Sequence, residues 1–66
     1  MTQIINLNRK FYSLDDAGNR TTELLKVEDV HIRVRRGAFT RDTFVEDAET
    51  GEKIKVGDIK EIFPDG

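Results

Sequence analysis

Between Val30 and Arg35 apolar and polar side chains alternate without a break, with Val30, Ile32 and Val34 set against His31, Arg33 and Arg35. Successive side chains of an extended chain point to opposite faces, so this spacing predicts a half-buried strand over Val30 to Arg36 whose apolar residues face a core. The opposite face then presents two guanidinium groups and an imidazole in a row. Such a strand needs sheet partners, and the other segments have to supply them.

The rest of the chain reads as a set of short strands separated by turns. From Gln3 to Tyr12, Ile5, Leu7 and Phe11 share one parity, interrupted by Arg9, and predict a first strand. Asp15-Asp16-Ala17-Gly18-Asn19 collects turn-forming residues. Thr21 to Val27 alternates again with Leu25 and Val27 inward, while a short helix beginning near Thr22 is the rival reading for residues 22–29. Glu28-Asp29 then serves as a tight connection, and Gly37 marks the next reversal. Phe39 to Glu46 reads as the partner strand, but Phe44 and Val45 are adjacent and large, which leaves the facing of Phe39 and Phe44 undecided. Asp47 to Glu52 fits a type I turn ending in a left-handed Gly51, closing a hairpin onto Ile54 and Val56. In the final stretch Ile59, Glu61 and Phe63 alternate as a strand would, Ile59 and Ile62 fit a single helical turn, and Pro64 ends either one.

About five short strands with turns between them predict an all-β domain spanning residues 1–66. The expected form is a small antiparallel barrel, SH3-like or Sm-like in style, with room for one short helical turn. A chain of 66 residues without cysteine has no disulfide framework to support it, so apolar burial must hold the fold. The stretch from Val45 to Ile62, with Asp47 and its Thr50-Gly51-Glu52 turn, resembles the hairpin of PRC-barrel domains. Val30 to Arg36 with the following Gly37 resembles a strand of Sm-like barrels. Both resemblances imply a small barrel, and neither carries a functional residue onto this chain.

The inventory of reactive groups argues against an enzyme. Nucleophilic catalysis needs a nucleophile, a base and a group to orient the base, and the chain offers one serine, Ser13, and one histidine, His31, in unrelated settings. One histidine without cysteine does not make a zinc site. Glu46, Asp47, Glu49 and Glu52 cluster at a hairpin tip without the ligand spacing of a calcium loop. No glycine run cradles phosphate, and no cofactor is expected. No apolar run suffices for a signal peptide or a membrane span, so a cytoplasmic protein without a membrane partner is expected.

The net charge of −2 is unevenly spread. Residues 9–41 hold eight basic and five acidic residues, a net of +3, whereas residues 42–66 hold three basic and eight acidic, a net of −5. The candidate binding residues are Arg33, Arg35, Arg36 and Arg41, with His31 beside them, Lys26 or Lys10 extending the patch if strand order allows, Phe39 as a ring, and Phe44 or Tyr12 as further rings. Arginine grips carboxylate or phosphate through paired hydrogen bonds. The expected function is a non-enzymatic accessory or regulatory module acting on a protein partner with an acidic surface. The alternative is a binder of single-stranded nucleic acid or structured RNA, and a third reading is an oligomer-forming subunit joined through a sheet edge. A plainer account has these arginines pairing with Glu23, Asp42 or Glu46, contacts of about 0–1 kcal/mol each.

Overall fold

The computed structural model describes residues 7–64. The chain runs β1 (Lys10–Leu14), β2 (Arg20–Lys26), α1 (Val27–Arg35), β3 (Phe44–Asp47) and β4 (Lys53–Lys55), followed by a 3₁₀ turn over Val56–Asp58. The strands form one antiparallel sheet in the order β2-β1-β3-β4.

The barrel expected from the sequence does not form. The described residues contain four strands rather than five, and the two edges, β2 and β4, stand apart at opposite sides of an open sheet. Strand β4 ends after three residues because Val56 turns into the 3₁₀ turn and is fully buried there. The largest correction concerns Val30 to Arg36, which is helical. Val27, Val30 and Val34 recur at the i, i+3, i+7 spacing of a helix face, and Val27 and Val30 are buried with Val34 packed beside them. Ile32, the residue that completes the strand-like alternation, is 43% exposed.

Local signals at both ends favour the helix. Glu28 and Asp29, expected as a tight connection, occupy its first turn, and Asp29 Oδ2 accepts the Lys26 N–H at 3.1 Å. Arg33 and Arg35 fall in the last turn, where cations complement the carbonyl end of the helix. Gly37 then takes φ +80°, its N–H bonds the Val34 carbonyl at 3.1 Å, and the Ala38 N–H bonds the Arg33 carbonyl at 2.8 Å. That pair of bonds is a Schellman C-cap, which needs a left-handed residue and is supplied with one by glycine.

The other boundaries shift less. Of the first predicted strand, Gln3 to Asn6 lie outside the described residues and the strand itself starts at Lys10. Of the two readings for residues 22–29, the strand holds up to Lys26, and Val27 to Asp29 open the helix, which starts five residues later than the rival reading had it. The strand expected over Phe39 to Glu46 is confined to Phe44–Asp47. The final stretch takes the helical-turn alternative, with the N–H groups of Ile62 and Phe63 bonding the Ile59 carbonyl at 3.0 and 2.8 Å.

The core lies on one face of the sheet. Phe11, Leu25 and Val45 point to it from β1, β2 and β3, and Val27, Val30, Val56 and Ile59 close over them. Each such side chain contributes roughly 1.5–3 kcal/mol on burial. At the margin, Asp47 joins three parts of the chain. Its Oδ1 accepts the N–H groups of Glu49 and Thr50 at 2.8 and 3.1 Å, which shapes the β3–β4 turn, and Gly51 completes that turn at φ +75°. Its Oδ2 accepts from Arg9 at 2.9 Å, and the same guanidinium donates to Glu61 at 2.8 Å. The Arg9 guanidinium, before β1, thereby ties the Asp47 carboxylate to that of Glu61, after β4.

Two outcomes are expected. Phe11→Ala lowers unfolding stability by about 3–5 kcal/mol, while Phe44→Ala, the same truncation on the opposite face, changes it by about 1 kcal/mol or less; urea titrations followed by circular dichroism measure both. The second concerns Asp47. Burial pushes its carboxyl up, but the Arg9 hydrogen bond and the two backbone N–H groups outweigh this and hold it below its ordinary value of 3.8. Its contribution is therefore complete above that value and is lost as pH falls through the lower folded value. Asp47→Asn should cost about 1–3 kcal/mol at neutral pH, and the gap to wild type should narrow as the solution is acidified below pH 3.8. A gap independent of pH would contradict this assignment.

Candidate binding face

The arginines singled out in the sequence do not share one strand face. His31, Arg33 and Arg35 lie on α1 and Arg36 caps it, while Arg41 sits in a turn before β3. A helix advances about 100° per residue, so Arg33 and Arg35 diverge by roughly 200° and their expected row does not exist. Arg33 is engaged within the fold. Its guanidinium makes two hydrogen bonds to the Glu23 carboxylate, the longer at 3.1 Å, and lies 5.5 Å from the Phe39 ring centroid. This contact, with a further hydrogen bond from Ser13, holds the Glu23 carboxyl below its ordinary value. Arg41 covers the Phe63 ring at 4.2 Å. Phe39 is half-buried against the core, whereas His31, Arg35 and Arg36 are exposed. Arg33 and Arg36 also line a shallow groove of about 370 Å³ between β2 and α1, with Ile32 on its wall and Glu23 and Asp29 offsetting their charge.

The opposite face of the sheet has a different character. Strand alternation turns away from the core every residue that flanks Phe11, Leu25 and Val45, and neither α1 nor the C-terminal turn covers that side. Register aligns the outward residues: Tyr12 lies opposite Leu24 on β2 and Glu46 on β3, Phe44 lies opposite Lys55, and Glu46 opposite Lys53. Phe44 is 48% exposed and Leu24 46%, with Tyr12 half-buried between them. Tyr12 and Phe44 thus stand on the two central strands as diagonal neighbours, a spacing of about 7–8 Å between positions.

Around these rings the charge is predominantly positive. Among the described residues of the four strands, this face carries five cations, Lys10, Arg20, Lys26, Lys53 and Lys55, and one carboxylate, Glu46. Arg20 reaches from edge strand β2 across β1, placing its guanidinium 4.8 Å from the Tyr12 ring centroid and 3.6 Å from Glu46. The Lys55 ammonium lies 5.9 Å from the Phe44 ring centroid. Phe44 stays half exposed and Tyr12 partly exposed, each bordered by a cation.

Sequence reasoning named Tyr12 and Phe44 as further rings and Lys26 or Lys10 as extensions of the patch that depend on strand order, but passed over Lys53 and Lys55. The four lysines are dispersed over three separated segments, and only the strand register brings those segments together. The alternation of Lys53-Ile54-Lys55 is the one local trace of the patch. Elsewhere, the Ser13 hydroxyl is 2.6 Å from that of Thr21 on the core-facing side of the sheet. Among the described residues no group of three or more His, Cys, Asp or Glu side chains is placed to hold a metal ion, and no helix is long and apolar enough to cross a membrane. Compared with models of protein families, with curated proteins and with solved structures, the chain matches none.

Proposed function

We propose that the protein is a small non-enzymatic binding module, an accessory or regulatory factor whose working surface is the open face of its sheet and whose partner is an anionic macromolecule. The observation that supports this most is the excess of five cations over one carboxylate on that face in a chain whose net charge is −2. Local potential, not net charge, steers an approaching partner, and a predominantly positive patch on an acidic protein orients the encounter. A protein surface presenting carboxylates meets this requirement, as does a phosphate backbone. The exposed Phe44 on central strand β3 and Leu24 on edge strand β2 add apolar contact among the charges, an arrangement common in binding patches.

Retention on a heparin matrix at low salt provides the test. The wild-type protein should bind despite its acidic composition, and the double charge reversal Lys53→Glu with Lys55→Glu should release it. The double reversal Arg35→Glu with Arg36→Glu, at the end of α1, should leave retention intact. Loss of retention from the helix variant alone would move the working surface to α1, and a wild-type protein that flows through would contradict the proposal.

A further inference from the structure

We infer that the open face binds single-stranded nucleic acid, with bases stacked on Tyr12 and Phe44 and phosphates held by Arg20 and the surrounding lysines. The inference rests on the reading of that face as an anion-binding surface and adds the chemistry of the occupant. Charge alone does not distinguish a carboxylate-rich protein from a polynucleotide; the rings do. A polyanion without aromatic groups gains little from two accessible rings, whereas every unpaired base has a π-face to lay on one.

The layout on the sheet fits this occupant in detail. The rings lie on the central strands β1 and β3, and most of the cations lie on the edge strands β2 and β4. Bases directed at the middle of the face therefore leave their backbone near a cationic border. A four-stranded antiparallel sheet with outward aromatics is a known platform for stacking two or three bases, and it works on single strands because a duplex keeps its base faces occupied. Arg20 already presents a planar guanidinium over the Tyr12 ring, in the position a base would take or share. Glu46 is the one carboxylate on the face among the described strand residues, and it lies within 3.6 Å of that guanidinium. It opposes an incoming phosphate and draws Arg20 inward, so removing its charge should favour binding.

Fluorescence anisotropy tests this with labelled oligothymidine and oligouridine of about ten nucleotides, a duplex of the same length, and polyglutamate as competitor. The single strands should bind more tightly than the duplex, and polyglutamate should compete weakly; a preference between the two single strands then assigns DNA or RNA. Phe44→Ala should weaken binding by about 5-fold or more without altering the salt dependence, and Phe44→Trp should retain it. Lys55→Ala should reduce the slope of log affinity against log salt by about 0.7, and Glu46→Gln should tighten binding. Phe44 is exposed, so circular dichroism of Phe44→Ala should match wild type. Equal binding of single strand and duplex with no effect of Phe44→Ala would overturn the inference while leaving the anionic-partner reading intact. Retention on heparin without binding to any oligonucleotide would overturn it in the same way. Failure to bind heparin and oligonucleotides alike would overturn both.

Discussion

The packing of Val27, Val30 and Val34 from a single helix onto Phe11, Leu25 and Val45 of the sheet is the contact on which the rest of this structure depends. A sheet of four strands has two faces, and one helix of nine residues with a short C-terminal turn covers one of them. Among the described residues no second layer covers the other face, and its outward strand positions carry mainly lysine, arginine and glutamate. A half-covered antiparallel sheet is stable in water when its exposed face is polar. Here that face also keeps Tyr12, Leu24 and Phe44, which contribute little to the core and remain available to a partner.

The elements set by local residue chemistry were legible in the sequence. The turn over Asp15–Asn19, strand β2 and the hairpin closed by Asp47 and Gly51 follow from turn residues and period-two spacing. The helix was not, because over six or seven residues a period of two and a period of 3.6 select overlapping apolar positions. Widening the window to Val27 adds the i, i+3, i+7 series, and the acidic first turn, basic last turn and Gly37 then favour the helix. Misassigning one element was enough to predict a closed barrel where an open sheet exists. The candidate site failed to show for a related reason. The arginines of α1 are adjacent in sequence but diverge around the helix, whereas Lys10, Lys26, Lys53 and Lys55 are distant in sequence and converge only through pairing.

Charge in this protein separates into structural and available groups. Arg9, Asp47 and Glu61 form a half-buried tie between the segments flanking the sheet, and Arg33 is held by Glu23 and Phe39. These cations are committed to the fold, and breaking a tie at the core margin leaves its carboxylates without compensation. The lysines of the open face are exposed, Lys55 beside the Phe44 ring, and can exchange water and counterions for a phosphate or carboxylate. The division explains how an acidic domain can still offer a cationic surface.

Amide-resolved NMR during titration with oligothymidine at low salt tests most directly whether the uncovered face is the working one. Shifts concentrated at Lys10–Leu14, Thr22–Lys26, Phe44–Glu46 and Lys53–Lys55, fading as salt is raised and absent from the exposed side of α1, are the result this account predicts. Shifts confined to His31–Arg41, with the strands silent, would contradict it and return the binding surface to the helix.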